Sequence, residues 1–376
     1  MVAHRFSGGG ANRNRRVTNG DHGRAARATA VCCLLLTKAV MNKRIPLTLA
    51  LLIAMVAPAA RAAEPRRIGT TELTPETTAA IDQALRWLAA NGNEDGSWGS
   101  TYRVAETSAA LMAFMLKGEF PGRGMYGARL DKAVTFLVRR GQEQGGYLGG
   151  KQQGMYEHGL ATLALSEVWG ESDKDEIKDV LKKAVEVTLR SQNREGGWRY
   201  SPQPTDADIS VTVIQIVALA SAKEAGIHVP DSVLTNAVIY VQKCQHPLGG
   251  FAYQPGGVPG FARSAAGVMS LFMAGQRNTT AAARGLDYLI KAPDTKFSAT
   301  QYYFYAHYYA MQALYQAGDD ARYRDWYTQI RDQLLKRQRQ DGAWPASDGG
   351  TTSAFSTGMA CLILGVPYRF LPIYQR

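Results

Sequence analysis

The sequence predicts an all-α fold, a closed ring of six helical hairpins, and three observations carry that prediction. Six times a helix-like stretch runs into a loop bearing an aromatic residue, at Trp98, Tyr147, Trp198, Phe251, Phe297 and Trp344, with steps of 49, 51, 53, 46 and 47 residues. A near-constant interval of that size marks one supersecondary unit repeated. Each unit joins an amphipathic segment before the loop to a segment that is apolar nearly all round after it. Two helices per unit and six units make two concentric rings, amphipathic helices outside and apolar helices inside.

The outer helices are predicted at 75–91, 128–141, 174–191, 231–245, 280–291 and 322–339. They gather charge on one face, as Asp175, Lys178, Asp179, Lys182 and Lys183 do. The inner helices are predicted at 104–117, 156–169, 207–225, 262–274, 299–317 and 353–365. The third contains Ile209, Val211, Val213, Ile214, Ile216 and Val217, a β-branched density that also suits a buried strand. Its length, and its register with Thr107–Leu116 and Phe355–Leu364, decide for helix.

The loops have their own logic. Gly96, Gly145, Gly196, Gly249 and Gly342 stand where a left-handed residue ends the outer helix without a Cβ clash. The aromatic that follows is expected to wedge between neighbouring hairpins. Gln192, Gln245 and Gln338 each precede the glycine by four residues and are expected to bond loop backbone that is otherwise unpaired. The fifth unit, Thr295-Lys296-Phe297, has lost both glycine and Gln.

Charge argues against a nucleic-acid partner. The chain is +11, but residues 1–62 hold 10 of its 43 basic and one of its 32 acidic side chains, so the rest carries only +2. Met41-Asn42-Lys43-Arg44, the apolar run Ile45–Val56 and Ala60-Arg61-Ala62 have the layout of a signal peptide over 41–62. An uncleaved N-terminal anchor is the alternative. Residues 1–40 are then an upstream extension with Met41 as the start, 63–73 a linker and 74–376 the toroid domain. The expected location is the periplasm or cell envelope, with a peripheral membrane or envelope partner open. Cys32 and Cys33 fall upstream, and Cys244 and Cys361 are expected to be buried free thiols.

Gln192-x3-Gly196-x-Trp198, Gln338-x3-Gly342-x-Trp344 and Gln245-x3-Gly249-x-Phe251 resemble the Gln-Trp repeats of the terpenoid cyclase and protein prenyltransferase superfamily. The likeness covers about residues 75–370 and includes prenyltransferase and squalene-oxidase repeat proteins. It implies an α/α toroid with a ligand cavity inside the ring. Class II members such as squalene–hopene cyclase protonate an alkene from the middle acid of Asp-x-Asp-Asp. Asp206-Ala207-Asp208-Ile209 matches the first two acids, and Ile209 replaces the third. The resemblance assigns Asp208 as general acid, with Asp206 raising its pKa by like-charge repulsion. The bland alternative makes either acid a helix cap.

The zinc ligands of the protein prenyltransferases have no counterpart: the matching helix reads Phe261-Ala262-Arg263-Ser264-Ala265, and neither metal nor cofactor is expected. Glu106, Glu157, His158, Asp208 and Arg263 fall at inner-helix starts and form a candidate ligand-binding rim. Tyr302, Tyr305 and His307 on the fifth inner helix are candidates for lining the cavity. Two function classes stand. One is a class II cyclase-like enzyme working on an isoprenoid. The other is an exported, non-catalytic toroid binding an apolar, glycan or peptide ligand. Carbohydrate hydrolysis or elimination is a thinner third.

Overall fold

Twelve α-helices in outer–inner pairs make up almost all of the regular secondary structure of the computed structural model, which describes residues 72–150, 154–291, 294, 302–347, 349–369 and 371. The predicted signal segment 41–62, the upstream extension, Cys32, Cys33 and the fifth loop aromatic Phe297 lie outside the described residues. The outer helices are α1 (Pro75–Ala90), α3 (Gly127–Glu143), α5 (Asp175–Ser191), α7 (Asp231–Lys243), α9 (Thr280–Lys291) and α11 (Asp320–Leu335). The inner ones are α2 (Arg103–Met115), α4 (Gly154–Trp169), α6 (Ile209–Glu224), α8 (Phe261–Met273), α10 (Tyr303–Ala317) and α12 (Ser353–Leu364). Among the described residues there is no strand, only isolated bridges such as Trp198 with Asp208.

Each inner helix packs on the next, and α12 returns onto α2, so the ring closes. At that seam a Cβ on Gly358 would stand 2.9 Å from the Ala109 carbonyl carbon, so only glycine lets the two backbones approach. The inner helices are buried nearly all round; in α6 every residue from Val211 to Ala222 is inside. The β-branched run is therefore a helix, as the repeat register required.

The loop aromatics are hydrogen-bonded wedges. Trp98, Trp198 and Trp344 donate their indole N–H to the carbonyls of Leu88, Thr188 and Leu334, at 2.7, 2.8 and 2.9 Å. Their backbone N–H groups donate to the hydroxyls of Thr107, Thr212 and Thr357, and that of Phe251 to Ser264, at 2.8–3.0 Å. Gln192, Gln245 and Gln338 each bridge two carbonyls, that of their own loop glycine and one on the following outer helix: Val233, Ala281 and Ala80. The Gln338–Ala80 bond joins the last repeat to the first.

The second repeat corrects the sequence reading by one residue. Gly146 (φ +93°), not Gly145, matches Gly96, Gly196, Gly249 and Gly342 (φ +95 to +99°). A Cβ on any of these five would meet the next outer helix at 2.1–2.7 Å. Two residues on, Leu148 rather than Tyr147 fills the buried slot, so the first two steps of the repeat are both 50 residues. Tyr147 instead stacks on His158, with centroids 5.5 Å apart. Cys244 and Cys361 are buried and unpaired. No described helix is long and apolar enough to cross a membrane.

Candidate functional site

The N-terminal ends of the inner helices open onto a cavity of about 550 Å³. Six tyrosines and two phenylalanines line it: Tyr102 before α2, Tyr156 on α4, Tyr200 in the loop before α6, Tyr253 in the loop before α8, Phe261 on α8, Tyr302 and Tyr305 at the start of α10, and Phe355 on α12. Tyr156 and Tyr305 lie 6.2 Å apart, and Tyr305 meets Tyr309 edge-on at 5.0 Å. Arg263 and Asp294 are the charged members of the lining. Tyr302 takes a left-handed conformation (φ +63°), which costs a bulky residue of the order of 1–3 kcal/mol and is common at ligand clamps.

Of the expected site residues, Arg263, Tyr302 and Tyr305 line this cavity. The expected acids are turned into the scaffold. Glu106 is fully buried, and its Oε1 accepts the N–H of Thr352 at 3.0 Å, so an acid on α2 caps the neighbouring helix α12. Burial raises its pKa, against the opposing Thr352 bonds. Glu157 repeats the device one hairpin on. Burial raises it too, while the backbone N–H groups of Ala105, Gly150 and Val104 favour its charged form. Both acids therefore satisfy N–H groups that a helix start leaves unpaired.

His158 serves the fold. Its Nδ1 accepts the N–H of Leu148 at 3.0 Å, and Nε2 faces the carbonyl of Ala184 and the hydroxyl of Thr188, both at 3.1 Å. Burial lowers its pKa to about 4, so it stays neutral at pH 7. His307 points away from the cavity, among Tyr303, Phe261 and Trp326, with centroids 4.3–5.8 Å away, and burial takes it down to about 3. The expectation that these two imidazoles face a ligand is corrected: one replaces the repeat's hydroxyl, and the other lies on the opposite face of α10 from Tyr305.

Asp208 is the N-cap of α6, with Oδ1 accepting the N–H of Val211 at 3.0 Å. Its Oδ2 lies 3.3 Å from the Arg199 guanidinium. Burial pushes it up to about 6, against the Val211 N–H, Arg199 and the Tyr253 hydroxyl, which favour the carboxylate. Burial, rather than the expected repulsion from Asp206, therefore causes the rise. Asp206 is exposed and pairs with the same arginine at 3.5 Å. Asp208 does not line the cavity; it sits behind Ser210 and Tyr253, which do.

Sequence reasoning missed Tyr102, Tyr156, Tyr200, Tyr253, Phe261, Phe355, Asp294 and Arg199. A signal existed for several: Tyr102, Tyr200 and Tyr253 follow their loop aromatics by two to four residues, a second aromatic column in register with the first. Among the described residues no group of three or more His, Cys, Asp or Glu is placed to hold a metal ion.

Comparisons with known proteins bear on this architecture. The model of the prenyltransferase alpha-alpha toroid domain matches residues 68–234 and, overlapping, 128–295. Drimenyl diphosphate synthase of Streptomyces showdoensis is 28% identical over 184 residues, 47% of this chain and 32% of that relative, so this chain spans about a third of the relative's length. A type II terpene cyclase of Scytonema, solved with its substrate geranylgeranyl dihydroxybenzoate, superposes with a TM-score of 0.56 at 15% identity, covering 79% of this chain and 98% of that one. An α-1,6-mannanase of Salegentibacter, solved with α-1,6-mannotriose, superposes with 0.60 at 8% identity, covering 78% and 99%. At those identities the structural likenesses are of fold. The domain match, together with the repeats that build the ring, places the chain in the terpenoid cyclase and prenyltransferase superfamily of α/α toroids.

Proposed function

We propose that this toroid is an exported protein that binds a largely apolar small molecule, isoprenoid-like or ring-bearing, in its tyrosine-walled cavity. One observation carries the reading. Eight aromatic side chains converge on the cavity, while Glu106, Glu157 and Asp208, the acids that chemistry would need, are engaged as helix caps behind it. Aromatic walls bury apolar ligand surface, and phenolic hydroxyls orient its few polar groups. The family match supports an isoprenoid body. Tryptophan and tyrosine fluorescence of the full chain titrated with farnesol tests this. Saturable binding is expected, weakened roughly tenfold or more in Tyr156→Ala and Tyr305→Ala; absence of farnesol binding would refute it.

A second reading, proton-initiated cyclisation with Asp208 as general acid, is favoured by one specific observation. A carboxyl with a pKa near 6 stands directly behind Tyr253, a cavity-lining residue. The Arg199 pair works against it, because a guanidinium stabilises the carboxylate rather than the acid that must donate the proton.

A further inference from the structure

We infer that the cavity's ligand carries a single anionic group, a carboxylate or a phosphate monoester, held by Arg263 at the start of α8; this rests on the ligand-binding reading above. Arg263 stands in an aromatic wall. Three other arginines around the same helix starts have carboxylates: Arg103 with Asp95, Arg199 with Asp208 and Asp206, and Arg339 with Asp341. Arg263 has neither an ion pair nor a hydrogen bond among the described residues, and Asp294, the acid in the same lining, does not pair with it. An unpaired guanidinium against low-dielectric aromatic walls attracts an anion more strongly than one in open water.

The local backbone points the same way. Gly260, the N-cap of α8, offers no side-chain cap, and no carbonyl accepts the N–H groups of Phe261, Ala262 or Arg263 among the described residues. A Cβ on Gly260 would lie 2.6 Å from Nη2 of Arg263, so the guanidinium folds back across the glycine toward those N–H groups. A cation in a first turn opposes the helix dipole unless an anion sits between them. One guanidinium and roughly half a charge from the helix balance a carboxylate, or a phosphate monoester of about −1.5 to −2, but fall well short of a diphosphate. Tyr305, Tyr156 and Phe261 would cover the ligand's apolar body.

Fluorescence titration of the full chain with cis-parinaric acid and its methyl ester tests the inference, using wild type, Arg263→Gln and Gly260→Ala. The wild type should prefer the acid over the ester by roughly tenfold to a hundredfold. Arg263→Gln should abolish that preference and leave ester affinity within about twofold. Gly260→Ala displaces only the flexible guanidinium and should lose several-fold for the acid alone. Displacement by dodecanoate against dodecyl phosphate identifies which anion the site takes. Equal binding of acid and ester by wild type overturns the anion inference and leaves the cavity reading standing. Failure of both to bind overturns both. Loss of ester binding in Arg263→Gln, with Gly260→Ala unchanged, makes Arg263 a structural residue and also overturns the inference.

Discussion

The backbone N–H of Leu148 donates to Nδ1 of His158 at 3.0 Å, the bond that threonine or serine hydroxyls accept in four other repeats. A histidine in that slot is part of the scaffold and must be neutral to accept. An unfolded His158 takes a proton near pH 6.5, whereas the folded one resists until about 4. Between those values the unfolded state binds more protons, so the stability His158 contributes is complete above pH 6.5 and is lost as pH falls through about 4. His307 acts in the same sense, lower still. Urea melts from pH 7 to 4 should show a flatter profile for His158→Gln, whose amide oxygen can accept the same N–H without titrating.

The repeat bond itself is testable at Thr212, which accepts the N–H of Trp198. Thr212→Val keeps the shape but strands a buried N–H, at a cost of about 1–3 kcal/mol. Thr212→Ser should cost less than about 1 kcal/mol, because Ser264 does the same work for Phe251. Equal losses in the two variants, by chemical denaturation, would show that packing rather than the hydrogen bond matters there.

Glu157 separates a helix cap from a ligand group. Its replacement by alanine should destabilise the fold by about 1–3 kcal/mol, since the first turn of α2 loses its acceptor. Farnesol affinity should stay within about twofold. A large loss of affinity with unchanged stability would return Glu157 to the site.

Asp208 gives the opposite pH slope to His158. Its carboxyl holds a proton up to about 6 when folded, against an ordinary value of 3.8. The folded state therefore binds more protons between those values, and stability attributable to Asp208 falls as pH rises from 3.8 to 6. Asp208→Asn keeps a good N-cap and should remove that component of the slope in thermal melts across pH 4–7.

The fold was legible because its signals repeat: glycine, aromatic and Gln recur at one interval, and each answers a local need of backbone or packing. Where the second repeat drifted, at Gly145–Gly146, adjacent candidates were indistinguishable by spacing; the choice depends on which glycine approaches Lys183, a contact made across hairpins. The site was less legible. Polar residues at inner-helix starts mark ligand groups and caps alike, and only the geometry shows Glu106 reaching Thr352 on a helix 246 residues away in sequence. Arg199, which pairs with Asp208 and opposes the effect of its burial, gave no motif at all. Tyr302 and Tyr305 were found because five tyrosines in eight positions exceed what packing demands, and Arg263 because it falls at an inner-helix start with the other rim residues.

Product analysis tests the central claim, that the aromatic cavity binds while the acids serve the scaffold. The full chain and Asp208→Asn would be incubated with squalene and farnesyl diphosphate, and extracts examined by gas chromatography–mass spectrometry after phosphatase treatment. The account predicts no cyclic product from either protein. Cyclic product from the wild type that disappears in Asp208→Asn would contradict it and make Asp208 the proton donor.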